Sequence, residues 1–148
     1  MAQVFKSEKE LERFLMKQSR QALLKAQDKV YNIIKKFLYG FYTEYDPVMY
    51  ERTYQFLQSL VQSRIVSDGK GYKVEIYFDL GYIYDTGSNP SGEDVMKAAD
   101  WGRHGAMGLA VADFKGESVW HGSLAELDAK AIDILVDMLR VEGIPIKK

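Results

Sequence analysis

The side chains best suited to chemistry are few: Asp100, His104 and His121, with Ser118 and Ser123 flanking the second histidine. An imidazole beside a carboxylate suits a divalent metal or general acid–base work, and a hydroxyl beside an imidazole suits nucleophilic attack. Asp100 and His104 stand four residues apart, a spacing that places both on one face of a helix. Gly102 and Gly105 oppose a helix there, and the two histidines, seventeen residues apart, lack metal-ligand spacing. One carboxylate with one histidine is too small a ligand set for a tight metal site. No G-x-S-x-G elbow surrounds Ser118 or Ser123, no G-x-x-x-x-G-K-[ST] loop occurs, and no G-x-G-x-x-G follows a strand. The adjacent Glu93 and Asp94 read as the acidic first turn of a helix. The expectation is no catalytic residue, no metal and no cofactor. A small hydrolase or metal-dependent enzyme using Asp100, His104 and His121 is the alternative.

The composition frames that expectation. A chain of 148 residues, 47% hydrophobic and 28% charged, fits one α+β domain with its own core. Cysteine is absent, which removes disulfides, thiolate nucleophiles and cysteine-built zinc sites and suits a reducing cytoplasm. No stretch approaches the roughly 20 apolar residues of a membrane span, so no membrane partner is expected. The first residues, Met1 to Glu8, lack the basic-then-apolar run of a signal peptide.

Charge is unevenly divided. Between Lys6 and Lys36 nine basic residues face four acidic ones, a local charge of +5, so the net −1 leaves −6 for the remainder. Such a split steers basic face to acidic face between copies, or toward nucleic acid; the plain alternative is a solvated helix face. Ten tyrosines, all at or before Tyr84, serve as core and rim, with protein interfaces as the second use. They are not interleaved with Lys and Arg on one strand face, so a nucleic-acid partner or regulatory module is the weaker reading.

Elements must position these groups. Ser7-Glu8-Lys9-Glu10 is a capping box that opens a helix predicted over about residues 7–42. Leu11, Leu15, Ala22, Ala26, Val30, Ile33, Phe37 and Phe41 recur at helical spacing, with Gln18 in the one missing place. Lys9, Arg13, Lys17 and Arg20 gather on another face. A helix of this length spans about 45 Å or more and outruns a small domain. Part of it therefore needs a partner, either the protein's own body or a neighbouring subunit.

Asp46-Pro47 signals a second, short helix, with Tyr50, Tyr54, Leu57 and Val61 at helical spacing before the chain becomes extended. Tyr72, Val74, Ile76 and Phe78 alternate with Lys73, Glu75, Tyr77 and Asp79, the pattern of a half-buried strand. The turn Asp68-Gly69-Lys70-Gly71 pairs this strand with residues 60–67, so the short helix and hairpin occupy about 47–80. A glycine-rich region follows over about 81–122, with a short helix from Ser91 through Trp101 and short strands at Leu109–Val111 and Ser118–Trp120. Ser123-Leu124-Ala125-Glu126, another capping box, opens a carboxy-terminal helix over about 123–142. Leu124, Leu127, Ala131, Ile134, Leu135, Met138 and Val141 form its apolar face, and Gly143 and Pro145 stop it. The fold expected is α+β, with the long amino-terminal and the carboxy-terminal helices packed on a small, mainly antiparallel sheet.

The order of long helix, Arg52-Thr53-Tyr54-Gln55-Phe56-Leu57-Gln58-Ser59, hairpin and Tyr84-Asp85-Thr86-Gly87 resembles the small tail-completion, or head–tail joining, proteins of long-tailed bacteriophages. The family's pattern is an Arg-Thr-Gly-x-Leu-x-x-Ser-like turn and a Tyr-x-x-Tyr-x-x-x-Gly-like loop. Arg52, Thr53, Leu57 and Ser59 fall near the first and Tyr84 and Gly87 near the second, over roughly residues 5–90; Tyr54 stands where the family has glycine. The resemblance implies a virion structural protein without catalysis, assembled in the host cytoplasm and placed at the tail–head junction. It implies a ring of copies in contact with neck, connector and tail-tube proteins. The six motif residues would set the helix-to-hairpin turn and the following loop. The basic face of Lys9, Arg13, Lys17 and Arg20 would meet an acidic neighbour.

Overall fold

The computed structural model describes residues 3–44, 55–82 and 119–147. Their architecture is α+β, as the periodicities predict. The first helix, α1 (Glu8–Glu44), starts behind Ser7 and runs through Gly40. The Glu10 N–H donates to Ser7 Oγ at 3.2 Å, and the Glu10 carboxylate accepts from the Lys6 N–H at 2.8 Å. The carboxylate's reciprocal bond thus falls on the residue before the cap.

A single turn, α2 (Gln55–Gln58), leads into β1 (Leu60–Gln62). The remaining strands are β2 (Val66–Ser67), β3 (Tyr72–Lys73) and β4 (Ile76–Phe78), followed by a 3-10 turn over Leu80–Tyr82. The hairpin differs from a continuous ladder in one respect. β1 and β4 pair antiparallel with Leu60 opposite Phe78 and Gln62 opposite Ile76, whereas β2 and β3 pair with Val66 opposite Lys73 and Ser67 opposite Tyr72. Three residues, Ser63 to Ile65, therefore face two, Val74 and Glu75: one residue is extra in the first arm, as at a bulge. The alternation of the second arm survives, with Tyr72, Val74, Ile76 and Phe78 more covered than Lys73, Glu75, Tyr77 and Asp79. At the tip, Asp68 Oδ1 accepts from the Lys70 and Gly71 N–H groups, each at 2.9 Å, and Gly69 takes φ 82°. Those two backbone donors hold the Asp68 carboxyl below its ordinary value.

The last helix, α3 (Val119–Val141), lies antiparallel along α1: Lys36 pairs with Glu126 at 2.8 Å near one end, and Lys25 pairs with Glu142 at the other. It begins earlier than the capping box predicts. Ser123 is not its cap but a fully buried interior residue whose hydroxyl donates back to the Val119 carbonyl. The expected strand over Ser118–Trp120 is overturned too, since Val119 and Trp120 are helical. Val119 is fully buried against α1, and that tertiary burial outweighs its β-branched preference for a strand. The helix ends as predicted. The Gly143 N–H donates to the Arg140 carbonyl and the Ile144 N–H to the Leu139 carbonyl, both at 2.9 Å, with Gly143 at φ 85°. Arg140 then fastens the tail through Nε and Nη2 to the Ile146 carbonyl at 3.1 and 2.9 Å. The predicted second helix start at Asp46-Pro47, the helix from Ser91 to Trp101 and the strand at Leu109–Val111 lie outside the described residues.

The core has two parts. Ile34, Phe37, Leu38, Phe56, Leu60 and Val119 form the larger, where α1, α2, β1 and α3 meet; Ala22, Ala26 and Met138 form the smaller. Phe56 stacks on Phe78 with ring centroids 5.3 Å apart. Ahead of Ala22, no residue of α1 is buried.

Candidate docking surfaces

Four features arise from this arrangement. The first is the forward part of α1. At 1.5 Å per residue, the 37 residues of α1 span about 55 Å and the 23 of α3 about 34 Å, so α1 outreaches its partner by about 20 Å. Because α3 ends opposite Ala22 and Lys25, the excess is at the amino-terminal side. Leu11 and Leu15, which continue the core stripe, are each 38% exposed there. Lys9, Arg13 and Lys17 are exposed and Arg20 half-buried, on a ridge turned away from that stripe. None of the four pairs with a carboxylate among the described residues.

The second is the junction of α2 with the sheet. Ser59 is fully buried; its hydroxyl donates to the Phe56 carbonyl at 2.6 Å, and its own carbonyl accepts from the Asp79 N–H at 2.7 Å. It closes the turn of α2 and begins the ladder in one residue. Leu57 packs at the edge of the larger core. Arg52, Thr53, Tyr84 and Gly87, the other residues named for this turn and loop, lie outside the described residues.

The third was not foreseen: Gln27, a buried amide on α1. Its Nε2 donates to the carbonyls of Ser63 at 3.1 Å and Glu75 at 3.2 Å, on opposite arms of the interrupted hairpin. Ser63 repairs the rest of the interruption. Its N–H donates to the Glu75 carbonyl at 2.8 Å, and its hydroxyl accepts from the Glu75 N–H at 2.7 Å. One glutamine thus ties α1 to both arms where the ladder slips. The sequence carries a signal for it, since Leu23, Val30 and Ile34 share a helical stripe in which position 27 is the polar exception.

Between α1, the second arm of the hairpin and α3 runs an apolar groove of about 380 Å³. Its floor is Leu23, Val30 and Ile34; Val74 and Ile76 form one wall, and Leu124, Ala131 and Leu135 the other. The predicted apolar face of α3 is therefore only partly covered, because Leu124 and Leu135 remain more than a third exposed and Val141 more than half. The ion pairs lie on the other side of the α1–α3 contact. Glu126 accepts from Lys130 and Lys36, each at 2.8 Å, and these bonds, Lys130's foremost, hold its carboxyl below the ordinary value.

Of the residues named for chemistry, Asp100, His104 and Ser118 lie outside the described residues. His121 is exposed in the first turn of α3, and among the described residues no three His, Asp or Glu side chains gather as metal ligands. No described helix is long and apolar enough to cross a membrane.

A family model described as YomN matches residues 7–140, nearly the whole chain and every described element. No curated protein and no solved structure matches it.

Proposed function

The chain belongs to the YomN family, a phage- and prophage-derived family, and from that premise we propose a non-enzymatic structural role in the virion. The protein acts at the head-proximal end of the tail, in tail completion or head–tail joining, through self-association and docking onto neck, connector and tail-tube proteins. The observation that carries this reading is the forward part of α1, which presents partly exposed leucines and a basic ridge beyond the end of α3. A side-chain stripe that continues the core pattern without being buried is what a helix looks like before its partner arrives. The junction at Ser59 and Leu57 supplies a rigid turn from α2 into the sheet, so a neighbour meets a fixed shape. The −6 charge of the remaining chain offers the basic ridge a complementary surface on another copy.

Deleting the gene from an inducible phage genome tests this reading directly. The expected outcome is filled heads and separate tails in the lysate, seen by electron microscopy, with joined particles restored by the gene in trans. Intact infectious particles without the protein would refute it.

A further inference from the structure

We propose that Gln27 is a register lock: it selects one of two pairings open to the outer part of the hairpin, and so decides which side chains the tip turns outward.

Two pairings meet in this hairpin. Continued outward, the β1–β4 pairing would set Ser63 opposite Glu75, Ile65 opposite Lys73 and Val66 opposite Tyr72. The first of these does form, since the Ser63 N–H donates to the Glu75 carbonyl at 2.8 Å. Beyond it the ladder has moved by one residue, with Val66 opposite Lys73 and Ser67 opposite Tyr72. In a regular antiparallel pair of this kind, both N–H groups donate to the facing carbonyls. Here the return bond is replaced. The Ser63 carbonyl accepts from Gln27 Nε2 at 3.1 Å, and the Glu75 N–H donates to the Ser63 hydroxyl at 2.7 Å. That hydroxyl in turn donates to the Arg64 carbonyl at 3.1 Å, where the extra residue enters. The amide on α1 thus occupies the acceptor that a continuous ladder requires.

The two pairings expose different residues. Paired residues share a side of the ladder, and side chains alternate along a strand. The observed pairing turns Ile65 to the covered side, as Leu60 is five positions before it, and leaves Arg64 and Val66 exposed. That odd separation needs the extra residue for both to face the same way. A continuous ladder would turn Arg64 and Val66 inward and Ile65 outward. The apolar exchange is nearly even, because Val66, now 59% exposed, would take the place of Ile65. The turn permits either arrangement. Asp68-Gly69-Lys70-Gly71 now connects the arms as four residues; a continuous ladder would pair Gly71 with Ser67 and leave three, also a common hairpin connection. What separates the two pairings is the set of Gln27 bonds and the cost of turning Arg64 inward. Since Gln27 belongs to α1, the seating of that helix and the face of the tip are coupled in both directions.

The test uses the full chain, whose lack of cysteine makes disulfide pairs a clean readout. Val66→Cys/Lys73→Cys reports the observed pairing. Ile65→Cys/Lys73→Cys reports the continuous one, because its Cβ atoms point to opposite sides until the ladder slips. Each is equilibrated in a glutathione buffer, which measures the effective concentration of the two thiols and does not trap a minor form. With Gln27 present, the first pair should exceed the second about tenfold or more, as when one or two buried hydrogen bonds favour one state. Gln27→Met keeps the length and removes the donor; it should erase most of that difference as the arm interchanges between the two pairings. Arg64→Val should narrow the difference too, with Gln27 intact. Arg64 is exposed as the protein stands, so a hairpin with a single pairing would not respond. Circular dichroism and thermal unfolding confirm that the variants fold.

An unchanged ratio in folded Gln27→Met overturns the lock. So does a parallel fall of both pairs, which marks fraying and not a slip. If Gln27→Met does not fold, Arg64→Val decides alone, and an unchanged ratio there overturns the proposal. Equal pairs with Gln27 present overturn it as well.

Discussion

Residues 8–21 and residues 22–38 belong to one uninterrupted helix, yet among the described residues only the second stretch is packed against other elements. Behind Ala22, each turn of α1 meets α3, α2 or the hairpin, and the stripe of Ala22, Ala26, Ile34, Phe37 and Leu38 is buried. Ahead of it, the same periodicity continues through Leu11 and Leu15, each 38% exposed. Local signals carry the helix across that border: the Ser7 cap, acidic residues in the first turn and no glycine before Gly40. Hydrophobic periodicity therefore marks where a helix can be covered, and the length of its partner decides where it is covered.

The sharpest way to break this contrast is to remove the same side chain on each side of the border. Leu38→Ala should cost about 2–5 kcal/mol in urea denaturation, the range for a fully buried leucine. Leu15→Ala should stay within about 0.5 kcal/mol for a dilute monomer, as for an exposed position. Equal losses would mean that the forward part of α1 is packed within the monomer and is not free to dock.

Gln27 gives the next largest effect, because it is the polar device that fixes the packed stretch to the sheet. Gln27→Ala leaves the Ser63 and Glu75 carbonyls without their amide donor and should cost about 1–3 kcal/mol. Hydrogen exchange should quicken at the Ser63 and Glu75 amides and remain unchanged at Leu11 to Leu15. Loss of protection in the forward stretch as well would show that both parts of α1 unfold as one unit.

These residues also show how far the sequence could be read. The second arm of the hairpin was legible because Tyr72 to Asp79 alternates without a break. The slip in the first arm was not, since Val61-Gln62-Ser63-Arg64 lacks a clean period and nothing local states which residue is extra. Ser123 shows the opposite failure. Ser-Leu-Ala-Glu carries the letters of a capping box, but a serine hydroxyl bonds equally well to a carbonyl one turn back, and burial of Val119 against α1 selects that geometry. Gln27 was visible only as a polar residue in an apolar stripe, and the carbonyls that explain it lie 36 and 48 positions away. For the candidate surfaces, the basic ridge of Lys9, Arg13, Lys17 and Arg20 could be placed from spacing alone. The groove could not, because it requires three separate elements to meet.

The smallest effect concerns the ion pairs that distinguish the packed stretch, where Lys36 reaches Glu126 across to α3, from the ridge ahead of it. The Glu126 carboxyl is held below its ordinary value first by the hydrogen bond from Lys130 and then by that from Lys36. A carboxyl depressed on folding adds stability above its unfolded-state pKa, and this is lost as pH falls toward the folded-state value. The difference in stability between the wild type and Glu126→Gln should therefore be constant near neutral pH and shrink through the ordinary glutamate range and below. In a carbon-detected titration, Lys130→Met should raise the Glu126 pKa more than Lys36→Met does, since the bond within α3 dominates. The reverse order would make the contact between helices the stronger restraint, and would put more of the hold on α1 into charge than its buried stripe suggests.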